Sequence, residues 1–233
     1  MNLFSSEKRV LQLPNAELIY IPNFYSAEKA NAYFKLLKAQ TNWQHDSITL
    51  FGKTHLQPRL TALYGNNNEP YTYSNITMKP IVFTKPLLDI KTDVEQLANH
   101  TFTSVLLNLY RFGSDSNGWH ADNEKELGMH PVIASVSFGA ERYFHFKHRT
   151  LKDQKHKLLL EHGSLLIMKG EMQTHWLHQI PKTKREIGER INLTFRYIKR
   201  KNQGPSTLVL LICFYICGRF RVSKSTHMQI LIN

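Results

Sequence analysis

The sequence predicts a mainly β fold with two flanking helices. Two segments with the helical spacing of apolar residues lie before residue 100, and the segments after it show mostly strand patterns. This order is typical of helices that back a double-stranded β-helix, or jelly roll, whose mouth holds a functional site. Because 233 residues lie within the range of a single β-rich domain, we expect one domain over 1–200 and a separate C-terminal tail over 201–233.

Both helices are predicted from an apolar stripe that recurs every three or four residues. The first helix begins after Ser26 and covers 27–38, and the second covers about 85–99. Each helix would bury its stripe against a sheet.

Strand patterns dominate the rest of the domain. Residues 132–140 alternate between the two faces of a strand, and residues 143–147 are rich in aromatic side chains. A longer stretch, 158–169, is interrupted by a turn at 162–164. These segments supply the strands of the predicted jelly roll.

The last predicted strand, 190–197, carries two arginines on one face. That polar face comprises Arg190, Asn192, Thr194 and Arg196. It could be a solvated sheet surface, or its two guanidinium groups could hold both ends of a dicarboxylate such as 2-oxoglutarate. In the strand at 105–110, the amide of Asn108 and the phenol of Tyr110 would enter the same interior.

Three residues form a candidate metal site. His120 and Asp122 would project to the same side of an extended chain, because side chains alternate along a strand. Together with His178 they would offer two imidazoles and one carboxylate, the facial arrangement of non-haem iron(II) oxygenases. A His-x-Asp triplet also occurs in surface turns, and Gly118 would suit such a turn.

Five runs of sequence together resemble the AlkB-type iron(II)/2-oxoglutarate dioxygenases, and most closely the members that repair alkylated bases in duplex DNA. The runs are 108–110, 119–124, 133–140, 174–178 and 190–196. The resemblance covers roughly residues 10–200. It implies the double-stranded β-helix of the Fe(II)/2-oxoglutarate dioxygenases.

The resemblance implies which residues bind the metal and the cosubstrate. The Fe(II) ligands are His120, Asp122 and His178. The positions that match the 2-oxoglutarate site are Asn108, Tyr110, Arg190, Asn192, Thr194 and Arg196. We expect Arg190 with Tyr110 at the remote carboxylate, and Arg196 with Asn108 nearer the iron. His175 is not expected to be a ligand, because an offset of three residues from His178 would point it to the opposite face of an extended chain.

The resemblance also implies residues that contact the damaged base, in recognition hairpins at about 45–80. Tyr71 and Tyr73 resemble a base-contacting aromatic pair, and Glu124 would lie near the polar edge of the base. Phe51 resembles an apolar wedge that fills the gap left by a flipped base. Without the resemblance, these residues would indicate ordinary strand and turn positions.

The implied activity is oxidative DNA dealkylation. 2-Oxoglutarate and O₂ would be consumed, succinate and CO₂ would be produced, and an N-methyl group of the 1-methyladenine or 3-methylcytosine type would be hydroxylated and lost as formaldehyde. The target base would first be flipped out of the duplex. Two alternatives stay open: the same chemistry on RNA, and an inactive nucleic-acid-binding module. A missing ligand or arginine would indicate the inactive module, and none is missing.

Composition agrees with a nucleic-acid partner. The 30 lysines and arginines exceed the 18 aspartates and glutamates, which gives a formal charge of +12. Many basic residues lie in two segments that we predict to be loops, 147–157 and 182–185. Charge alone would suit duplex DNA, single-stranded DNA, RNA or an anionic membrane surface.

The remaining expectations concern the compartment and the tail. Both cysteines lie in the tail, so we expect no disulfide framework and an intracellular protein, in the cytoplasm or the nucleus. The apolar run 208–217 is too short for a bilayer span of about 20 residues. The tail could be a packed strand, an interaction segment or a non-native extension of the reading frame. We expect a monomer with no membrane partner.

Overall fold

The structure is a computed structural model, and it describes residues 8–50, 53–66, 71–73 and 76–199. The described residues belong to a single compact unit that extends to Lys199. None of the helices in these ranges has the length and apolar character needed to cross a membrane.

Two larger sheets, two two-stranded hairpins and a few helices make up the described part of this unit. The helices are α1 (Ala27–Gln40), α2 (Lys85–Ala98) and the short α3 (Met172–His175), with one 3₁₀ turn at Lys125–Leu127. The strands of the large sheet are β1 (Arg9–Leu13), β2 (Ala16–Ile21), β5 (Leu60–Gly65), β8 (Ile81–Val82), β9 (Ser104–Tyr110), β11 (Ile133–Gly139), β14 (Ser164–Gly170) and β16 (Arg190–Arg196). The strands of the small sheet are β10 (Asn117–His120), β12 (Arg142–His148), β13 (Lys155–Leu160) and β15 (Trp176–Ile180).

The strand order is that of a jelly roll. The large sheet runs β1-β2-β14-β11-β16-β9-β5-β8, and the small sheet runs β10-β15-β12-β13. Neighbouring strands are antiparallel except for β5 and β8. Two hairpins, β3 (Ser47–Leu50) with β4 (Lys53–Leu56) and β6 (Tyr71–Tyr73) with β7 (Ile76–Met78), lie in the segment where recognition hairpins were expected. The predicted mainly β fold with flanking helices is therefore confirmed.

Strand alternation divides the interior into two cores. In β14, Leu165 and Ile167 pack with residues of α1 and α2 in a core behind the large sheet. The intervening Leu166 and Met168 pack with residues of the small sheet in a second core between the sheets. Both faces of the central strands of the large sheet are thus buried, and the second core lies beneath the site described below.

The basic segment 147–157 was expected to be a loop, but its two ends belong to the strands of a hairpin, and only 149–154 form the connecting turn. β12 and β13 pair so that Lys147 lies opposite Lys155, and His145 lies opposite Lys157. Lys147, Lys155 and Lys157 lie on one face of this hairpin, whereas Phe146 and His148, on the other face of β12, are buried. This alternation between exposed and buried residues is a strand signal, which net charge does not show. The second basic segment does lie in a loop, between β15 and β16.

We expect Gly139→Ala to destabilise the fold by about 2–4 kcal/mol. Gly139 ends β11 with φ +85°, and an added Cβ would lie 2.3 Å from the carbonyl oxygen of Glu189 and 2.6 Å from the ring of Phe34. Gly188→Ala is the matched control, since its nearest new contact would be the Cβ of Ala140 at 3.9 Å. Chemical denaturation measures both variants, and equal stabilities would contradict the prediction.

Candidate active site

The three residues predicted to bind a metal converge between the two sheets. His120 ends β10, Asp122 follows it, and His178 lies in β15 directly opposite His120. One donor atom from each residue lies within 4.8 Å of the other two. Asp122 and His178 are buried, and His120 is partly buried. The group has the composition of a facial iron site.

Hydrogen bonds orient this group. The Nδ1 of His120 lies 2.7 Å from the carbonyl oxygen of Gly118. Because a carbonyl only accepts, Nδ1 donates this bond, so Nε2 carries the lone pair. That lone pair accepts from Asn117 Nδ2 at 3.2 Å, and a bound metal would take the place of this contact. Arg196 donates to Asp122 Oδ1 at 2.7 Å, while Asp122 Oδ2 lies 3.9 Å from His178 Nε2. The second carboxylate oxygen therefore faces the histidines.

The electrostatics of the group suit a divalent cation. Burial lowers the pKa of His178 to about 3, and burial also lowers the pKa of His120. Burial raises the pKa of Asp122, but the charge and the hydrogen bond of Arg196 oppose this effect, and the net value is about 2. At neutral pH the three side chains are two neutral imidazoles and one carboxylate, which is the protonation state that metal binding requires. The residues thus fit Fe(II).

The residues predicted to hold 2-oxoglutarate line the same pocket as the metal group. They are Asn108, Tyr110, Arg190, Asn192, Thr194 and Arg196. Arg190 and Arg196 are only 1% and 2% exposed, so the alternative of a solvated sheet face is wrong. These six side chains form a buried polar strip beside the metal group. Four of them come from β16, which lies between β9 and β11 in the large sheet.

The register of β16 and β9 places Arg190 beside Tyr110 but separates Asn108 from Arg196. Arg190 lies opposite Tyr110, and its Cζ is 5.1 Å from the centroid of the tyrosine ring. Asn108 lies opposite Asn192 and not near the end of β16 that carries Arg196. The register explains the difference, because Arg196 is four residues farther along the strand and reaches Asp122 instead.

Two buried residues of the site were missed from the sequence. Arg59 donates from Nε to the side-chain oxygen of Asn108 at 2.7 Å. Gln173 in α3 accepts the backbone N–H of Asp122 at 2.9 Å and is fully buried. Neither belongs to a polar alternation or a motif, so only the tertiary contacts reveal them.

His175 lies away from the metal group, as predicted, although for another reason. It ends the helical turn α3, and the extended strand β15 begins only at the next residue, Trp176. Its Nε2 lies 2.9 Å from a carboxylate oxygen of Glu171, and its ring stacks on His148 at 5.7 Å. The helical turn, and not strand alternation, directs its side chain.

The residues predicted to contact the base are described only in part. Glu124 is partly buried and lies two residues beyond Asp122, immediately before the 3₁₀ turn. Tyr71 and Tyr73 lie in β6, where they pair with Met78 and Ile76, but their side chains lie outside the described structure. Phe51 lies outside the described residues altogether.

Comparisons with known proteins agree with this geometry. Residues 17–196 match the model of the 2OG-Fe(II) oxygenase superfamily. The chain is 41% identical over 192 residues to "Alpha-ketoglutarate-dependent dioxygenase alkB homolog 3" of Bos taurus, with 78% of this chain and 66% of the relative covered. It is 36% identical over 207 residues to "DNA oxidative demethylase ALKBH2" of Mus musculus, with 84% of this chain and 86% of the relative covered.

A solved structure shares the fold. "The structure of OsALKBH1" superposes with a TM-score of 0.57 at 17% identity, and the match covers 81% of this chain and 100% of that chain. At this identity the likeness shows the fold alone. The match to the bovine relative spans 66% of that protein's length, slightly less than two thirds.

We expect Gln173→Leu to weaken divalent-metal binding by about 10- to 100-fold. The substitution removes the acceptor of the Asp122 backbone N–H, which helps to hold the carboxylate toward the two histidines. Titration of the protein with Mn(II), followed by electron paramagnetic resonance, measures the affinity. Gln154→Leu, in the turn between β12 and β13, is the control. An affinity within twofold of the parent protein would show that this contact does not support the metal group.

Proposed function

The chain belongs to the AlkB-type branch of the 2OG-Fe(II) oxygenase superfamily, and from this membership we propose that it is an Fe(II)- and 2-oxoglutarate-dependent dioxygenase that removes N-methyl groups from alkylated DNA bases. The observation that carries the proposal is the single pocket lined by three metal-ligand candidates, Arg190 and Arg196. A protein that only bound nucleic acid would have no need to bury these charged groups together.

The proposed iron ligands are His120, Asp122 and His178. Fe(II), when bound with 2-oxoglutarate, supplies the chemistry that reduces O₂, releases succinate and CO₂, and inserts one oxygen atom into a substrate C–H bond. The hydroxymethyl group formed on the base nitrogen is unstable and leaves as formaldehyde. The protein therefore needs no nucleophile, and its own residues act by binding and orientation.

Arg190 and its neighbours are suited to hold the remote carboxylate of 2-oxoglutarate. Arg190 Nη2 donates to the hydroxyl of Ser137 at 2.9 Å, and Tyr110 flanks the guanidinium group. Burial lowers the pKa of Arg190 to about 10, which still leaves it protonated at neutral pH. A buried cation of this kind favours a carboxylate partner.

The polar network between the two arginines is suited to hold the cosubstrate in one orientation. Asn192 donates to Ser135 Oγ at 2.7 Å, and Thr194 donates to Asn192 Oδ1 at 3.0 Å. Arg196 fixes the Asp122 carboxylate through its 2.7 Å bond. Apolar side chains of the pocket, Phe144 and Met168 among them, would limit the access of water to the reacting atoms.

The proposed substrate is alkylated DNA, with lesions of the 1-methyladenine and 3-methylcytosine type. The net charge of +12 favours a polyanion. The outer face of the β12–β13 hairpin carries Lys147, Lys155 and Lys157, and Lys147 lies over the exposed ring of Trp119 at 4.3 Å. This proposal also includes a preference for duplex DNA, a monomeric state and an intracellular location in the cytoplasm or nucleus. It further includes contacts with the base by Phe51, Tyr71, Tyr73 and Glu124.

We expect formaldehyde release from an oligonucleotide with one 1-methyladenine or 3-methylcytosine, and only with Fe(II), 2-oxoglutarate and O₂ all present. Asp122→Ala should lower the rate by at least about 100-fold, since it removes a metal ligand. Asp153→Ala, on an exposed turn, should retain the parental rate. Removal of metal with a chelator should stop turnover, and added Fe(II) should restore it. Formaldehyde release that does not depend on 2-oxoglutarate would refute the proposed activity.

We expect duplex DNA to be repaired faster than RNA that carries the same lesion. Phe51→Ala should slow repair of the duplex at least about fivefold and change single-stranded repair little, because a wedge is needed only where a base leaves a stack. Leu56→Ala, at the exposed end of β4, is the matched control. Turnover on the three nucleic acids is compared side by side. Faster repair of RNA, together with full duplex activity of the Phe51 variant, would favour the RNA demethylase instead.

A further inference from the structure

Arg142 is a second buried arginine beside Tyr110. It begins β12 in the small sheet and is 4% exposed. Its Cζ lies 5.7 Å from the centroid of the Tyr110 ring, and the Cζ of Arg190 lies 5.1 Å from the same centroid. One tyrosine ring of the pocket is thus shared by two guanidinium groups, one from each sheet.

Neither guanidinium group forms an ion pair with a carboxylate in the part of the chain that the structure describes. Arg142 Nη2 donates to the carbonyl oxygens of Asp115 at 3.0 Å and Pro181 at 2.6 Å. Its Nη1 is buried without a hydrogen-bond acceptor among the described residues. The carboxylate of Asp115 forms its ion pair with Arg111 instead, at 2.8 Å, although its charge also acts on Arg142.

This excess of buried positive charge is unusual in a folded protein. A buried cation without a directly paired carboxylate costs several kcal/mol, so such groups are normally paired. Arg196, by comparison, is paired with Asp122. The two arginines around Tyr110 therefore leave a local positive potential that an anionic ligand would offset.

We propose that Arg142 determines cosubstrate specificity, because with Arg190 it supplies the positive charge that selects a 2-oxo acid with a second carboxylate. The inference rests on the proposed function, in which the remote carboxylate of 2-oxoglutarate lies at Arg190 and Tyr110. Arg142 acts as a positioning residue, through its charge and through the ring of Tyr110. Its Coulomb attraction reaches the ligand without a direct contact.

The same side chain links the cosubstrate end of the pocket to the metal end. Asp115 lies in the loop before β10, which carries His120, and Pro181 follows β15, which carries His178. The Arg142 guanidinium bonds to both segments. It is therefore held in a fixed place relative to both histidines, and its charge is preorganised before a ligand binds.

The test compares two ligands of equal chain length, 2-oxoglutarate and 2-oxopentanoate, which has a methyl group in place of the remote carboxylate. Their dissociation constants are measured by calorimetry on the full chain loaded with Zn(II), so the result does not depend on turnover. Arg142→Gln should reduce the preference for 2-oxoglutarate roughly tenfold. Arg142→Lys keeps the charge and should retain most of the preference. Arg9→Gln, on the exposed edge strand β1, removes a distant charge and should leave the preference unchanged.

The outcomes separate this inference from the proposed function. If the parent protein shows no preference for 2-oxoglutarate, the proposed cosubstrate is wrong and the role of Arg142 fails with it. If the parent prefers 2-oxoglutarate and Arg142→Gln keeps that preference, only the role of Arg142 is refuted. A purely structural role would weaken both ligands equally and leave their ratio unchanged. Should Arg142→Gln not fold, Arg142→Lys decides, because loss of the preference in a folded variant that keeps the charge would overturn the inference.

Discussion

The buried ion pair between Asp122 and Arg196 is the interaction on which the site depends. Both side chains lie between the sheets, at most 2% exposed. A pair in such surroundings contributes little net stability, yet loss of one partner leaves an uncompensated charge that costs about 3–5 kcal/mol. Replacement of either residue alone would therefore destabilise the protein. Because Asp122 follows β10 of the small sheet and Arg196 ends β16 of the large sheet, the pair also fixes how the two sheets meet at the metal group.

Burial of the apolar face of β16 fixes the register of this strand and so directs its polar face toward the pocket. Ile191, Leu193 and Phe195 are fully buried in the core behind the large sheet. A shift of one residue in register would turn these three side chains toward the pocket and Arg190 toward the helices, so the hydrophobic effect selects a single register. The same alternation makes the strand and its two faces predictable from the sequence. Period-two patterning likewise predicted β9 and β11, which flank it.

What the sequence did not predict depends on contacts between distant segments. The partner of Asn108 is Arg59, 49 residues away, and the support of Asp122 is Gln173, 51 residues away. No local pattern encodes such contacts. Arg142 is different, because it shares the inner face of β12 with Phe144 and Phe146. A charged residue in an otherwise aromatic, inward-facing series is a signal that alternation could have revealed. Net charge does not distinguish a basic hairpin from a basic loop, because the difference depends on which side of the strand each charge occupies.

Charge has two separate functions in this protein, and burial decides which one a residue serves. The lysines on the outer face of the β12–β13 hairpin are hydrated and screened by salt, so they favour a polyanion over a neutral partner but cannot position an atom. The arginines within the pocket lie in surroundings of lower polarity, where each charge acts over a longer distance and each hydrogen bond fixes a direction. Arginine suits these buried positions because its planar guanidinium group can donate to several acceptors at once, as Arg142 does to two carbonyl oxygens. A lysine there would keep the charge but could not hold both loops with the same geometry.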